Sequence, residues 1–367
     1  MSERIRVVVV GAGVMGLSAA WALARAGARP LVLERFARGH TRGASHGTTR
    51  NFNDAYTEDR YLDLLARARA AWAVLGTPGG EPVLRLHGIV TRGPAGVLET
   101  VHAALAERGI DARLLDAAEA ARRWPGIRFA GPALVSEDAG VVRADAALAE
   151  LERRIVALGG EVRYSAPVRR IEDRGDDVRI DTDGGGIVAD VAVVAVGAWT
   201  RPLLGGLVPL PRLTVTEESP AHFVPLRPND PWPSFNHLTA GLGDATPGDV
   251  YGMPSPGEGV KVGFHRVGPE VDPDARPFRA THVAALEQYV REWMPGLDPA
   301  TARPISCTYT STDSGAFVLD RAGRIVVGAG FSGHGFKFAA GIGEVLADLA
   351  DAEPGAAVTT AFPLPAP

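Results

Sequence analysis

The 367-residue sequence predicts an α/β protein, α+β overall, in which a parallel-sheet domain built from the beginning, middle and end of the chain is interleaved with a mostly antiparallel second domain. Three observations carry that expectation. The N-terminal "IRVVVVGAGVMGLSAAWALARAGARPLVLER" reads as strand, glycine loop, helix, strand. The C-terminal "GRIVVGAGFSGHGFKFAAGIGEVLADLAD" echoes it as strand, glycine loop, helix. Between them, residues 206–278 are rich in proline and extended patterns, which suit antiparallel strands better than another parallel layer. A chain of this length with 46% hydrophobic residues buries more than one core, so two domains are expected.

In the N-terminal unit, residues 5–10 form a β-rich run, followed by Gly11, Gly13 and Gly16, a helix ending near Gly27 and a second strand ending at Glu34. Gly11 permits the tight turn, Gly13 lets the backbone approach a pyrophosphate, and Gly16 allows close helix–strand packing. The helix N-terminus offers unpaired N–H groups to an anion, and Glu34 falls where an acid accepts from ribose hydroxyls. A dinucleotide site follows, of NAD or FAD; the motif does not choose between them.

After Glu34, "RFARGHTRGASHGTTRNFN" is a long polar connection of the kind that faces a cofactor. Residues 55–75 read as a helix with Tyr61, Leu64, Leu65, Ala68 and Trp72 at helical spacing. "GEPVLRLHGIVTRG" reads as a strand, 95–124 as two helices, and 144–158 as a helix. The strands "EVRYS", "PVRRIED", "DVRIDTD" and "DVAVVAVGAW" come next, with Gly184, Gly185 and Gly186 as a hairpin turn, and 280–293 is a helix.

A net charge of −5 gives no basic field for nucleic acid, and no stretch approaches the roughly twenty apolar residues of a membrane helix. The N-terminal apolar run is too short for a signal peptide, so a cytoplasmic protein is expected. Cys307 is the single cysteine, which excludes an internal disulfide, a CxxC redox pair and a Cys-rich metal site, and no metal is expected. A lone cysteine is ordinarily a small packing residue.

Strand alternation gives local geometry. In "SCTYTSTD", Cys307 and Tyr309 share one face, while Ser306, Thr308 and Thr310 share the other. In "GVKVGFH", Val260, Val262 and Phe264 form one face and Lys261, Gly263 and His265 the other, where the missing side chain at Gly263 leaves room for a flat ring. Gly333 and Gly335 free the backbone of the last glycine loop to approach a ligand, and the helix after it directs its positive end there. His334 reads as a structural loop histidine.

The motifs "GAGVMG", "GASHGTTR", "VGAW", "YGMPSPGEGVKVGFH", "CTYTSTD" and "GFSGHGFKF", in this order over nearly the whole chain, resemble the monomeric sarcosine oxidase and N-methyltryptophan oxidase family. The resemblance implies a glutathione reductase-type FAD-binding Rossmann domain (1–80, 141–205 and 311–367) and a substrate and catalytic domain (81–140 and 206–310) with a large sheet over the flavin ring. It implies oxidation of a secondary or N-methyl amine to an imine, with O2 taking the electrons as hydrogen peroxide, by a monomer.

By the same resemblance, Cys307 forms a thioether to the flavin, Lys261 activates oxygen and His265 and Tyr309 line the reaction site. His46 and Arg50 lie beside the flavin, Lys337 binds the substrate carboxylate and also meets the cofactor, and Tyr251 contacts substrate. Arg35, Ser45, Thr49, Val168, Gly197 and Phe336 join the glycines around FAD. Lys261, Arg50 and the last helix supply positive potential that favours a reduced anionic flavin and a neutral amine. The chain departs from the family at one place. Where the family reads HGxTRxxR and uses the second arginine on the substrate carboxylate, this sequence reads "HGTTRNFN" and offers Asn53, unless Arg42 or Arg60 folds into the vacancy. The alternatives are a flavin enzyme acting on a larger biosynthetic intermediate or using another acceptor, and a non-catalytic FAD-binding protein.

Overall fold

The computed structural model describes residues 4–76, 79–239, 246–353 and 360–366; parts of three expected stretches, 1–3, 240–245 and 354–359, lie outside the described residues together with 77–78 and 367. Among the described residues two eight-stranded sheets dominate. The first is organised by Arg4–Val10, whose four valines are buried on both faces, the pattern of a central parallel strand. It pairs in parallel with Leu31–Leu33 on one side and Gly185–Val194 on the other; Glu161–Arg163 and Ile325–Ala329 extend the two flanks. In order of appearance the five parallel strands therefore lie 3-2-1-4-5, and strand order reverses between the first and the fourth. Loops leaving the carboxyl ends of these two strands open a crevice, where open α/β sheets bind ligands.

Gly185–Val194 is long enough to serve two neighbours on one edge: its first half pairs antiparallel with Val178–Thr182 and its second half parallel with Ile325–Ala329. Gly185 and Gly186 thus belong to the strand, and only Asp183 and Gly184 form the hairpin turn. Alternation divides the valines between two cores: Val7, Val9, Val191 and Val193 face the helices, while Val8, Val10, Ala192 and Val194 face a layer that includes Ile171, Val178 and Ile180. The helices Val14–Arg25 and Ala339–Asp351 touch closely because Gly343 carries no side chain; a Cβ there would lie 2.4 Å from the Ser18 backbone.

The second sheet is antiparallel except where Ser234–His237 runs parallel to Ile89–Arg92. Its order is Leu297–Pro304, Ala221–Pro225, Gly259–Phe264, Val250–Ser255, Ser234–His237, Ile89–Arg92, Ala133–Ser136, Arg113–Leu115. One face packs Val260, Val262 and Phe264 against Leu286, Tyr289 and Val290 of the helix Val283–Trp293. The other face turns toward the crevice. "GEPVLRLHGIVTRG" is not one strand: Leu84–Leu86 pairs with Gly140–Arg143, Ile89–Arg92 enters the large sheet, and the break falls at Gly88, whose φ of +84° a side chain would resist. The expected helices appear as Asp59–Ala73, Ala95–Glu107, Ala117–Arg123, Ala144–Ala157 and Val283–Trp293. No helix among the described residues is long and apolar enough to cross a membrane.

Candidate active site

A cavity of about 1300 Å³ runs from the crevice of the first sheet to the free face of the second. Its first end is made by the glycine loop. Gly11, at φ +102°, turns the chain immediately after Val10, and a Cβ there would lie 2.6 Å from the Ala195 carbonyl oxygen. Gly16 does not reach the cavity; its missing Cβ makes room for the Gly11 carbonyl, 1.9 Å from where that atom would sit. At Gly13 a Cβ would meet only the Ser45 hydroxyl, at 3.2 Å, so the loop is open on its cavity side. Ser45 accepts a hydrogen bond from the Val14 N–H at 3.0 Å and so supplies a cap that Gly13 itself cannot.

Glu34 is buried and spends one oxygen on the Ala12 N–H (2.8 Å) and the other on the Phe36 N–H (2.9 Å). It locks the glycine loop to the second strand and still borders the cavity, with lone pairs left for a ribose. Arg35, which pairs with Asp274, Val168 and the positive-φ Gly197 also border this end.

The second end lies on the face of the large sheet that carries Lys261. Tyr251 lies directly across from Gly263, Met253 from Lys261 and Asn236 from Tyr251, so these side chains share one face. The space at Gly263 is not left for a flat ring: Tyr251 fills it, and a Cβ at 263 would lie 2.9 Å from the phenol. Tyr251 reaches the Tyr309 hydroxyl at 3.5 Å, and burial raises both phenols above their ordinary range. Tyr309 in turn occupies the space at Gly333, where a Cβ would fall 2.2 Å from its ring. The two glycines of the last loop therefore admit the protein's own side chains, Gly335 being crowded by Phe331 and Met15, while both still border the cavity.

Lys261 is buried and donates to the Thr49 carbonyl at 2.7 Å. Burial, then the neighbouring Arg50 charge, pushes it down to about 7. Thr49 stands behind it rather than in the cavity, its hydroxyl held between the Pro254 carbonyl and Ser255. Arg50 spends its guanidinium on the carbonyls of Thr49, Ala44 and His46 and lies over the Phe336 ring. His46 bonds the Gly43 carbonyl at 3.0 Å and is shifted down by burial and by Arg50. Cys307 sits on the strand Cys307–Ser311 with its side chain at the cavity beside these cations.

Lys337 gives two of its three protons to the Tyr56 hydroxyl (2.8 Å) and the His334 carbonyl (3.1 Å), and burial lowers it to about 7. Tyr56 donates onward to His334 Nδ1 at 3.2 Å, and the other ring nitrogen bonds the Gly315 carbonyl. His334 is thus a neutral structural histidine, pushed down to about 3 by burial and Lys337. His265 lies against Tyr309, ring centres 5.6 Å apart, and burial followed by Lys337 lowers it to about 4. Neither Arg42 nor Arg60 enters the cavity, and Asn53 lines it alone of that trio: Arg42 lies over Phe36 and Arg60 over Tyr61 and Phe362. Sequence reasoning did not single out Tyr56, Asn51 or Asn236. Tyr56 falls within the range 55–75 that reads as a helix, but the helix begins only at Asp59, and Asn51 and Asn236 carry no local signal.

An elongated cavity with an open glycine loop, a capped helix N-terminus and an acid at one end, and with cations and a thiol at the other, fits a flavin dinucleotide: diphosphate, ribose and ring each meet suitable groups. Residues 6–349 match the FAD dependent oxidoreductase family, and the chain belongs to it. It is 33% identical to the monomeric sarcosine oxidase of Bacillus sp. (strain B-0618), over 95% of this chain and 93% of that protein. It is 34% identical to the peroxisomal sarcosine oxidase of Homo sapiens, over 93% of this chain and 91% of that one. Among solved structures, NikD, described as an unusual amino acid oxidase essential for nikkomycin biosynthesis, aligns with a TM-score of 0.84 at 26% identity, over 98% of this chain and 96% of that one.

Proposed function

We propose that this flavoprotein oxidises a secondary or N-methyl amine of amino-acid type to an imine and returns the electrons to O2 as hydrogen peroxide. The observation that carries the reading is the convergence of Lys261, His265, Tyr309, Lys337 and Cys307 at one end of a cavity whose other end is the dinucleotide loop. The names of the sarcosine oxidase and N-methyl-L-tryptophan oxidase relatives support the amine class. FAD supplies the two-electron acceptor and the route to O2. The make-up of the two sheets supports a discontinuous FAD-binding unit (1–80, 141–205, 311–367) and a catalytic unit (81–140, 206–310).

In this reading the chain's own groups do the following. Lys337 turns its one uncommitted proton to the carboxyl-derived group of the substrate. His265, neutral because it is buried near Lys337, offers a ring nitrogen without adding positive charge against the amine. Lys261, Arg50 and the end of the last helix place positive potential where negative charge develops. Tyr251 and Tyr309 pack the free face of the sheet against water. Cys307 attaches FAD covalently, its strand bordering the cavity at the end where Lys261 and His265 stand. The protein acts as a monomer in the cytoplasm.

The test is to purify the protein, record its visible spectrum and assay a panel of secondary and N-methyl amines for peroxide. Amine-dependent peroxide is expected. A bound flavin with no amine-dependent peroxide from any member would overturn the reading.

A further inference from the structure

Three side-chain amides line the substrate end of the cavity, and none has a side-chain hydrogen-bond partner among the described residues. Asn51 and Asn53 lie either side of Phe52, which is fully buried in the core beneath the strand Thr49–Phe52. Both amides border the cavity. Thr49, bonded to Pro254 and Ser255, ties this strand to the free face of the large sheet. Asn236 stands on that face, directly across from Tyr251. The Asn51 side-chain oxygen is buried with no partner at all, a costly state for a polar atom unless a ligand completes it.

The charges nearby are partly committed. Arg50 is held by three backbone carbonyls, Lys261 gives one of its three protons to the Thr49 carbonyl, and Lys337 keeps one proton free. Three neutral donor–acceptor groups beside these partly spent ammonium groups suit a group that both gives and takes hydrogen bonds better than one that only accepts. Resting on the amine-oxidase reading, we infer that the substrate presents a neutral carboxamide or ring amide to Asn51, Asn53 and Asn236, with its oxidisable amine toward Lys261 and His265. A site built to pair amide groups rejects an analogue that leaves them unpaired.

The experiment compares N-methylglycine with N-methylglycinamide, and piperidine-2-carboxylate with its carboxamide, as kcat/KM ratios of amide to acid. Asn51→Leu, Asn53→Leu and the isosteric Asn51→Asp follow, each checked for folding and flavin content. The ratio should exceed about tenfold in the wild type and fall about tenfold in each variant, through KM rather than kcat, which is one lost hydrogen bond per amide. Binding of the non-oxidisable pair propanamide and propanoate, read from perturbation of the flavin spectrum, should show the same preference without turnover. Efficient acids with poor amides would overturn this inference and leave the oxidase reading standing. Amide-selective binding without oxidation of any amine would do the reverse. Loss of FAD from Asn51→Leu with an unchanged ratio would assign that amide to the cofactor and also overturn the inference.

Discussion

The ammonium of Lys261 and the carbonyl of Thr49 meet at 2.7 Å across the junction between the strand Thr49–Phe52 and the large sheet. That bond fixes a buried charge at the cavity wall. An ammonium in a site of low dielectric stabilises negative charge developing on oxygen. Lys261→Met should slow reoxidation by O2 at least a hundredfold, on the order of removing one oxyanion donor, while anaerobic reduction by amine changes far less. Because burial and Arg50 bring Lys261 to about 7, the O2 step should also weaken as pH rises through neutrality. Stopped-flow traces of the two half-reactions decide it: equal, small effects on both would remove Lys261 from the oxygen step.

Cys307 and Tyr309 point to the same cavity, as alternation along "CTYTS" requires. With the flavin attached through Cys307, acid precipitation leaves the yellow colour in the pellet, and Cys307→Ser releases it to the supernatant. Full release from the wild-type protein would show that the thiol is not the attachment point.

Asn53 stands in the cavity where the resemblance calls for an arginine, and neither Arg42 nor Arg60 takes its place: both are turned to aromatic rings outside it. A bidentate charge-assisted pair lost in this way costs roughly 1.5–3 kcal/mol, about ten- to a hundredfold in affinity. Sarcosine should therefore be a poor substrate, and Asn53→Arg should lower KM for free N-methyl amino acids by that factor. Efficient turnover of sarcosine by the wild type, with no gain in the variant, would refute it.

Four histidines sit neutral in the fold. Burial holds His222 and His265 at about 4 and His237 and His334 at about 3. Their unfolded value is near 6.5, so between that value and about 4 the unfolded chain binds more protons and stability falls as pH falls. His237 lies outside the cavity, bonded at 2.9 Å to Tyr289, which in turn accepts from the buried Arg92. Melting temperature should drop steadily from pH 6.5 to 4, and His237→Asn should flatten part of that slope. A profile level across this range would contradict the assignment of neutral, buried imidazoles.

Much of this arrangement is written in short-range patterns. The first parallel strand, its glycine loop and Glu34 are legible because one motif fixes a turn, a helix start and an acid at set distances. The faces of "GVKVGFH" and "CTYTS" follow from a period of two. What the sequence hides is which neighbour fills a vacancy. Gly263 and Gly333 read as room for a ligand, and the fold gives that room to Tyr251, brought by strand pairing, and to Tyr309, brought from the strand Cys307–Ser311. The strand Thr49–Phe52 is invisible in "TRNF" because Arg50 and Asn51 border a cavity rather than a core. The Lys337–Tyr56–His334 chain joins Tyr56 to residues 278 and 281 positions away, beyond any local signal.

The most direct test of the central claim is anaerobic addition of a secondary amine to the purified protein, followed by readmission of air with peroxide measured. The account predicts bleaching of the flavin band by amine, its return with O2, and one peroxide for each flavin reoxidised. A flavin that no amine in the panel bleaches, or one that is bleached but returns in air without peroxide, would contradict it.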